Sequence, residues 1–417
     1  MTFSQPEKLL LLENIHPVAH QRLKETGFVL EGEKGSLSEA DLTERLKGYQ
    51  AVGIRSKTQL TQEVLTANPQ LQVVGAFCIG TNQIDLEAAN RLGLPVFNAP
   101  YSNTRSVAEM IIAELVILSR QLGDRNSLAH RGDWDKSAEG AREVRGKTLG
   151  IVGYGHIGSQ VSVLAEAMGL RVIFYDVVKK LPLGNARGVD SLGELLKQAD
   201  FVTLHVPETD LTKNMMAAPQ LQMMKPGGFL LNASRGTVVD IEALAQSLKL
   251  GHLAGAAIDV FPVEPKNNQE KFVSPLQGLS NVFLSPHIGG STEEAQQAIG
   301  LEVAESFIRF FKQGTTAGAV NFPQLDIPAL GPGVLRLSNV HRNVPGVMGQ
   351  INGIVSELDA NIRAQYLSTD NHIGYLVMDL EWKVGQGDPL ADPRAQALWQ
   401  KVMAMSQSVK TRLWTGA

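Results

Sequence analysis

The chain has 417 residues, and its 38 Lys and Arg residues against 42 Asp and Glu residues give a formal net charge of −4. This length predicts about three domains of ordinary size. The near-neutral balance provides no basic face, which argues against a nucleic-acid partner or a membrane surface. A content of 43% hydrophobic and 19% charged residues excludes a disordered chain.

The cysteine content and the first residues of the chain bear on the cellular compartment of the protein. Cys78 is the only cysteine, so no internal disulfide or cysteine-rich zinc site can form, and a reducing compartment fits. The apolar run at 9–12 is too short for a signal peptide and is followed by Glu13. No stretch approaches the roughly 20 apolar residues that span a bilayer. We therefore expect a cytoplasmic protein with no membrane partner and no metal.

The first part of the chain alternates apolar runs with helical stretches. Strands are predicted at 8–12, 51–55 and 71–76, with a helix around 16–26. Strands that alternate with helices at this spacing favour a parallel sheet covered by helices. The long apolar stretch 106–120 then predicts a helix that is buried on most sides.

A second α/β pattern begins with a βαβ unit, in which a strand (148–152), a helix (159–168) and another strand (170–175) follow one another. Further strands are predicted in the same region at 201–206, 228–232, 254–258 and 282–284. Helical stretches separate these strands, so the pattern predicts a second doubly wound sheet.

The amino-acid composition of the sequence changes after residue 312. Residues 313–333 are rich in Gly, Pro and Ala, which is typical of a linker. The rest of the chain predicts a ferredoxin-like βαββαβ sandwich, with its elements at 334–341, 345–358, 361–368, 373–381, 395–405 and 408–414. We therefore predict an α/β fold with two doubly wound parallel-sheet domains, Rossmann-like and flavodoxin-like, and this C-terminal sandwich.

Gly153, Gly155 and Gly158 form a G-x-G-x-x-G pattern that follows one predicted strand and opens a helix. In a dinucleotide site, these glycines make a tight turn, admit the pyrophosphate and allow close helix–strand packing. The helix N-terminus offers N–H groups and the positive end of its dipole to phosphates. Asp176 lies 18 residues after Gly158, where a carboxylate binds ribose hydroxyls and repels a 2′-phosphate. The pattern favours NAD over NADP, and a structural glycine turn is the alternative.

Three ionisable residues, Arg235, Glu264 and His287, each follow a predicted strand. Ligands of an open α/β sheet bind outside the carboxyl ends of its strands, so we expect these side chains in one crevice. An arginine binds a carboxylate bidentately, and a histidine exchanges protons near neutral pH. A carboxylate orients the imidazole and stabilises its charged form. This set suits hydride transfer between NAD and a hydroxy acid.

Four blocks of sequence resemble the D-isomer-specific 2-hydroxyacid dehydrogenase family, and the resemblance extends over roughly residues 8–312. They are GYGHIG (153–158), NASRGTVVD (232–240), GAAIDVFPVEP (255–265) and SPHIGGST (285–292). The resemblance implies that Arg235, Glu264 and His287 are the catalytic set, with Asp259 at the nicotinamide end. It implies an NAD site lined by Gly153, Gly155, His156, Ile157, Gly158, Asp176, Ala233, Ser234, Asp259, Gly289 and Gly290.

Further blocks resemble the members of this family that oxidise 3-phospho-D-glycerate for serine biosynthesis. They are GIRSKT (53–58), FCIGTNQIDL (77–86), FNAPYSNTRSVAE (97–109) and NMM (214–216). The resemblance implies that Arg55 meets the substrate phosphate, and a surface ion pair is the alternative for this residue. It also implies Lys57 and Lys136 as helpers at the phosphate. The turn 79–82, which contains Gly80, offers N–H groups to a carboxylate, and Asn103 begins another polar turn before the long predicted helix.

The segments HRNVPG (341–346) and DANIRAQY (359–366) resemble the ligand loop and partner strand of an ACT domain. This resemblance implies L-serine as an effector, bound between paired domains by His341, Asn343 and Asn361. A dimerisation module without a ligand is the alternative, because fold alone does not give function. The segment 382–393 is a longer loop than the resemblance implies.

These observations divide the chain into four parts. They are a substrate-binding domain (1–104 and 290–312), an NAD-binding domain (105–289), a linker (313–333) and an ACT domain (334–417). The leading hypothesis is a serine-regulated, NAD-dependent oxidation of 3-phosphoglycerate by a homotetramer, with reduction of 2-oxoglutarate as a side activity. One rival is a dehydrogenase for another small 2-hydroxy acid, and another is an NAD-sensing binding protein.

Overall fold

The computed structural model describes residues 6–265, 269–382 and 389–416. The chain forms two compact units, one made of Met1–Pro100 with Gln296–Ala417 and the other of Tyr101–Ala295. The first unit begins with β1 (Lys8–Leu11), α1 (Pro17–Glu25), β2 (Val29–Gly32), α2 (Glu39–Arg45), β3 (Ala51–Ile54), α3 (Gln62–Thr66), β4 (Val73–Ala76), α4 (Leu86–Arg91) and β5 (Val96–Phe97).

The strands of this first sheet are all parallel and run in the order β2-β1-β3-β4-β5. This is the flavodoxin-like order, as predicted. Each of the four helices α1 to α4 begins at a side chain that accepts a backbone N–H of the first turn, namely His16, Ser38, Thr61 and Asp85. The apolar pattern did not predict β2 or β5, because β2 is largely exposed at the sheet edge and β5 has two residues.

The second unit contains seven strands and six helices among its described residues. In chain order they are α5 (Thr104–Arg120), α6 (Leu122–His130), β6 (Thr148–Val152), α7 (His156–Ala167), β7 (Arg171–Tyr175), β8 (Arg187–Gly188), α8 (Leu192–Gln198), β9 (Phe201–Leu204), α9 (Ala218–Met223), β10 (Gly228–Asn232), α10 (Ile241–Lys249), β11 (Leu253–Ile258) and β12 (Val282–Leu284).

The sheet of the second unit is parallel, in the order β12-β11-β10-β9-β6-β7-β8. The strand order reverses between β6 and β9, and a crevice opens at the carboxyl ends of strands beside such a reversal. The Rossmann-like prediction is confirmed. Helix α7 begins at His156 rather than at the predicted Ser159, because the glycine turn leads directly into the first helical turn.

The chain continues with α11 (Glu293–Gln313), β13 (Val334–Arg342), α12 (Val347–Glu357), β14 (Asn361–Thr369), β15 (Ile373–Glu381), α13 (Pro393–Met403) and β16 (Ser408–Thr415). The last four strands form an antiparallel sheet in the order β14-β15-β13-β16. This confirms the predicted ferredoxin-like sandwich. Six residues of the predicted long loop, 383–388, lie outside the described residues.

The two central strands of the C-terminal sheet, β13 and β15, are buried on both faces within the first unit. Leu337 and Met378 pack on one face in a cluster with residues of α12 and α13. Val340 and Tyr375, on the other face, join a cluster that contains Phe307 of α11. The sheet is therefore a middle layer, and the continuous burial of β13 and β15 follows from this position.

The segment 313–333, assigned to a linker from its composition, packs against the first sheet over much of its length. Phe322 and Ile327 are buried. The Asn321 side chain accepts a hydrogen bond from the Val96 N–H of β5 at 2.9 Å. These contacts hold the segment on the edge of the sheet.

The C-terminal sheet donates three side-chain hydrogen bonds to the end of α11. Trp414 Nε1 donates to the Phe311 carbonyl at 2.6 Å, and Tyr375 Oη donates to the Gly314 carbonyl at 2.7 Å. Arg336 Nη1 donates to the Gln313 carbonyl at 2.9 Å. The last carbonyls of a helix have no partner within it, and its C-terminus attracts cations. The sheet therefore caps this helix.

No helix among the described residues is long and apolar enough to cross a membrane. In the same residues there is no group of three or more His, Cys, Asp or Glu side chains arranged to hold a metal ion.

Asp379→Ala tests the ion pair that supports the helix cap. Arg336 is fully buried and forms a bidentate pair with Asp379, with N–O distances of 2.6 and 2.8 Å. Removal of the carboxylate leaves a buried positive charge without its partner. We expect the free energy of unfolding to fall by about 3–5 kcal/mol, measured by urea denaturation.

The matched control is Asp326→Ala, which breaks the exposed Arg309–Asp326 pair. This control should cost no more than about 1 kcal/mol. Similar losses in the two variants would show that the buried pair contributes no more than a surface pair.

Candidate active site

The structure brings Glu264 and His287 together in the second unit. His287 Nδ1 lies 2.9 Å from Glu264 Oε2, and the other carboxylate oxygen accepts the Phe261 N–H at 3.1 Å. Both side chains are partly open to solvent, with 52% of His287 and 35% of Glu264 exposed. The His287 imidazole therefore contacts Glu264 through Nδ1, and its Nε2 is available to contact a ligand.

Electrostatics favour the charged form of this pair. The hydrogen bond with Glu264 raises the pKa of His287 above its ordinary value, although burial opposes this effect. Burial raises the pKa of Glu264, but the hydrogen bonds from His287 and the Phe261 N–H outweigh it and leave that pKa below its ordinary value. The positive charge of Arg235 lowers both pKa values, so this guanidinium belongs to the same cluster.

Arg235 follows β10 and is held by a turn that Asn232 organises. The Asn232 side chain accepts hydrogen bonds from the Ser234 N–H and hydroxyl, and its Nδ2 donates to the Arg235 carbonyl at 3.0 Å. A Cβ atom on Gly236 would lie 2.0 Å from the Phe261 carbonyl carbon. Only glycine therefore allows the turn that carries Arg235 to approach the segment before Glu264 so closely.

The loop that carries His287 is fixed by the carboxylate of Asp259. This buried carboxylate accepts hydrogen bonds from the Ser285 hydroxyl (2.6 Å) and from the Ile288 and Gly289 N–H groups (2.9 Å each). His287 has a left-handed backbone with φ of 56°. Such a conformation costs free energy in a non-glycine residue and persists where the surroundings impose it.

The remaining predicted residues of the loop lie beside α5. A Cβ atom on Gly289 would lie 3.1 Å from Asp259 Oδ2, and one on Gly290 would lie 2.3 Å from Asn103 Nδ2. Asn103 stands before the first turn of α5, and its Oδ1 is buried without a hydrogen-bond partner among the described residues. The structure thus brings Asn103 and both glycines together.

The glycine turn has the backbone geometry that a dinucleotide requires. Gly153 has φ of +90°, and a Cβ atom there would lie 2.3 Å from the His205 carbonyl oxygen. A Cβ atom on Gly158 would lie 2.2 Å from the Gly153 carbonyl oxygen, whereas the space around Gly155 is open. Helix α7 also begins without a side-chain cap. The residues therefore fit NAD, with free N–H groups facing open space.

The other predicted NAD residues surround this turn in the second unit. Asp176 directly follows β7, and its Oδ2 accepts a hydrogen bond from the Tyr154 N–H at 2.8 Å. The His156 ring contacts the Tyr101 ring, with a distance of 4.1 Å between centroids. Ile157 and Ala233 pack at the edge of the core.

In the first unit, the structure brings Arg55, Lys57 and Gly80 together through two further residues. The buried Glu13 carboxylate accepts the N–H groups of Arg55 and Lys57 at 3.2 and 3.0 Å, and that of Thr58 at 2.8 Å. Gln83 Nε2 donates to the carbonyls of Arg55 and Gly80 at 2.6 and 3.2 Å. No ion pair involves the Arg55 or Lys57 side chain in the described part of the chain.

Lys136 is not gathered into either cluster. It lies on an exposed stretch of the second unit between α6 and β6. Its ammonium group forms no ion pair with any described residue.

The three predicted effector residues lie at opposite ends of the C-terminal sheet. His341 pairs with Gly374 at one end, whereas Asn361 pairs with Glu381 at the other, about 25 Å away along the strands. Asn343, just beyond β13, donates to the Asp370 carbonyl at 2.7 Å.

His341 is buried, its Nδ1 lies 3.1 Å from Asn339 Oδ1, and burial lowers its pKa. Asn361 is exposed, and its Nδ2 donates to Glu381 Oε2 at 3.0 Å. One sheet therefore cannot bring His341 and Asn361 to one small ligand.

Sequence reasoning missed the residues that hold the site residues in place, namely Glu13, Gln83, Asn232 and Ser285. Glu13 and Asn232 directly follow or end apolar strands, and this position of a polar residue was the available signal. Glu13 also has a left-handed φ of 61°, which the sequence does not reveal.

Comparison with known families supports two parts of the chain separately. Residues 112–289 match the family described as D-isomer specific 2-hydroxyacid dehydrogenase, NAD binding domain. Residues 337–386 match the AHAS small subunit-like ACT domain. The predicted presence of an NAD-binding domain and of an ACT domain is therefore confirmed.

Curated relatives match nearly the whole chain. D-3-phosphoglycerate dehydrogenase of Escherichia coli (strain K12) is 52% identical over 375 residues, which cover 90% of this chain and 91% of the relative. A putative D-3-phosphoglycerate dehydrogenase of Schizosaccharomyces pombe is 49% identical over 98% of this chain and 88% of its own length.

Solved structures resemble about three quarters of the chain. D-2-hydroxyisocaproate dehydrogenase has a TM-score of 0.68 at 27% identity and covers 75% of this chain and 99% of its own. D-lactate dehydrogenase from Aquifex aeolicus, complexed with NAD and lactic acid, has a TM-score of 0.64 at 29% identity and covers 73% and 95%. Together with the glycine turn, these likenesses confirm NAD as the cofactor. The chain is thus an NAD-dependent oxidoreductase that belongs to the D-3-phosphoglycerate dehydrogenase family.

Proposed function

We propose that the chain oxidises 3-phospho-D-glycerate to 3-phosphohydroxypyruvate with NAD, as the first step of phosphorylated L-serine biosynthesis in the cytoplasm. The 2.9 Å contact between His287 and Glu264, in the field of Arg235, carries this proposal. An imidazole paired with a carboxylate is an acid–base catalyst, and the guanidinium is a carboxylate-binding group. The names of the relatives supply the substrate.

In this proposal, each catalytic residue has one task. Arg235 binds the substrate carboxylate and polarises the oxygen on the reacting carbon. His287 Nε2 takes the hydroxyl proton during oxidation, because Nδ1 is engaged with Glu264. Glu264 stabilises the imidazolium that forms. Bound NAD supplies the hydride acceptor.

The NAD-binding roles also remain proposals at the level of residues. Gly153, Gly155, His156, Ile157 and Gly158 would surround the pyrophosphate, and Asp176 would bind the ribose. The stretch Ala233–Ser234, Asp259, Gly289 and Gly290 would lie toward the nicotinamide. The N–H groups at the start of α7 support the first set, since the structure gives them no side-chain cap.

For the substrate, we propose that Arg55 and Lys57 bind the phosphate and that the N–H groups around Gly80 bind the carboxylate. Asn103 and Lys136 would assist. The Arg55 and Lys57 side chains form no ion pair with any residue that the structure describes, and Glu13 fixes the loop that carries them. Both observations support this role, because a cation on a fixed loop suits an anion. We retain the division into substrate-binding (1–104 and 290–312), NAD-binding (105–289), linker (313–333) and ACT (334–417) parts.

We further propose that L-serine inhibits the enzyme by binding between two paired ACT domains of a homotetramer. The separation of His341 and Asn361 along the sheet supports this arrangement. A small amino acid meets both residues only if they come from different subunits. Asn343 would then bind from the same end as His341.

Arg55→Ala tests the phosphate role. We expect the KM for 3-phosphohydroxypyruvate to rise by about 10- to 150-fold, which corresponds to the loss of one charged hydrogen bond worth roughly 1.5–3 kcal/mol. The KM for glyoxylate, which has no second anion, should change less than about threefold. Initial rates of NADH oxidation with 3-phosphohydroxypyruvate, glyoxylate, hydroxypyruvate and 2-oxoglutarate provide the measurement.

Arg91→Ala is the control, because Arg91 forms an exposed pair with Glu87 on α4. The KM values for all four substrates should equal those of the wild-type enzyme. A wild-type protein that prefers glyoxylate or 2-oxoglutarate to the phosphorylated substrate would overturn the proposed function, whereas an equal loss on every substrate in Arg55→Ala would remove only Arg55 from the phosphate site.

Glu264→Gln tests the acid–base pair through its pH dependence. Reduction of the 2-oxo acid requires protonated His287, so kcat/KM should be highest at low pH and fall as the pH rises through the pKa of His287. Glu264 raises that pKa, so in the variant the fall should occur at a lower pH. Glu242→Gln, at an exposed position of α10, should keep the wild-type profile. An unshifted profile in Glu264→Gln would exclude the pair from proton transfer.

Asn361→Ala tests the effector site. We expect millimolar L-serine to lower the initial rate of the wild-type enzyme, since coupling between sites is typically about 1–3 kcal/mol. The variant lacks the amide proposed to bind serine, so it should keep its basal rate and lose this inhibition. Lys401→Ala, which breaks an exposed pair with Glu357 in the same domain, should remain inhibited. A wild-type rate that does not respond to serine would refute the regulatory proposal.

A further inference from the structure

A cavity of about 680 Å³ lies within the first unit, between the C-terminal sheet and the first sheet. Strand β16 lines one side, and the segment before β4 lines the other. This volume is typical of sites for small molecules. None of the residues proposed above for substrate, NAD or serine lines the cavity.

Positive charge exceeds negative charge around this cavity. Among its lining residues, Lys8, Lys410 and Arg412 are cationic and Glu7 is the single acid. Lys410 and Arg412 lie two residues apart on β16, so their side chains emerge on the same face of the strand. The excess of cations favours an anionic ligand.

Arg412 already has its partners within the protein. Its Nη2 lies 2.7 Å from Glu7 Oε1, and its Nη1 donates to Gln72 Oε1 at 2.7 Å. Its guanidinium also lies over the Trp414 ring, 4.9 Å from the centroid. The Glu7 carboxylate is therefore paired with Arg412, and it does not neutralise Lys410.

Lys410 is a partly buried cation of this lining that lacks an anion, whereas Lys8 is exposed. Its Nζ donates to the backbone carbonyls of Leu71 and Pro69, and it forms no ion pair with any described carboxylate. Burial lowers its pKa to about 7. Carbonyl oxygens accept hydrogen bonds but do not neutralise an ammonium charge, so a bound anion would supply what this position lacks.

The remainder of the lining is rich in apolar surface. Phe310, Phe322, Val340, Tyr375 and Trp399 contribute aromatic and aliphatic groups. A cavity with mainly apolar walls and one partly buried cation without a counter-ion favours a ligand with an apolar body and one negative charge.

We propose that this cavity binds a small organic carboxylate, with its anionic group against Lys410 and its apolar body against Phe310, Phe322 and Val340. The site is distinct from the proposed active site and from the proposed serine site. Its occupant would contact both the C-terminal sheet and the first sheet.

Isothermal titration calorimetry of the full chain, saturated with NAD, tests this proposal. The probes are indole-3-acetate and its uncharged analogue indole-3-acetamide. We expect one molecule of the carboxylate to bind per chain, at least tenfold more tightly than the amide. Absence of binding, equal affinity for the two probes, or binding only when NAD is omitted would overturn the proposal.

Two variants locate the site. Lys410→Met removes the charge and keeps the stem, so the affinity for indole-3-acetate should fall at least tenfold, to that of the amide. Lys401→Met, an exposed lysine on α13, should bind as the wild type does. Unchanged affinity in Lys410→Met would place the probe elsewhere and refute the site.

A second variant covers the case in which Lys410→Met fails to fold. Met403 lines the cavity and is 37% exposed, so Met403→Trp fills space there without changing any charge. We expect this variant also to lose at least tenfold in affinity for indole-3-acetate. Wild-type affinity in Met403→Trp would count against the cavity.

Discussion

The cluster of Arg235, Glu264 and His287 depends on one buried carboxylate. Asp259 accepts three hydrogen bonds from the loop 285–289, and its own N–H donates to the Asn232 carbonyl at the end of β10. It thereby ties together the ends of three neighbouring strands. Because a buried carboxylate is stable only when its hydrogen bonds are made, the loop has one favourable position, and the left-handed backbone of His287 follows from it.

The fold was predictable wherever burial leaves a repeating pattern in the sequence. Strands β6 and β10 are buried along their whole length and are mostly apolar. Helices α5 and α7 bury residues at helical spacing. Strand β2 was not predictable, because an exposed edge strand needs no apolar residues. Nor was the packing of 313–333, since its Gly and Pro content indicates local backbone conformation and not the tertiary contacts of Asn321.

The candidate site shows the same division between local and tertiary information. Residues that we propose to act by their chemistry, such as His287 and Arg235, stand in recognisable blocks at strand ends. Residues that act by holding others, such as Glu13 and Ser285, form their bonds across 26 to 45 positions of sequence. A single sequence contains no sign of which loop N–H groups such a side chain will meet.

The discontinuous first unit has a consequence for synthesis of the chain. Its core joins Leu9 and Phe97, which precede the second unit in the sequence, to Phe307 and Tyr375, which follow it. At about 5–20 residues per second, a ribosome takes roughly 10–40 seconds to make the intervening segment. The second unit is therefore synthesised in full before the first unit is complete. Until α11 and the C-terminal sheet are made, the apolar residues of the first sheet lack the partners that bury them in this core.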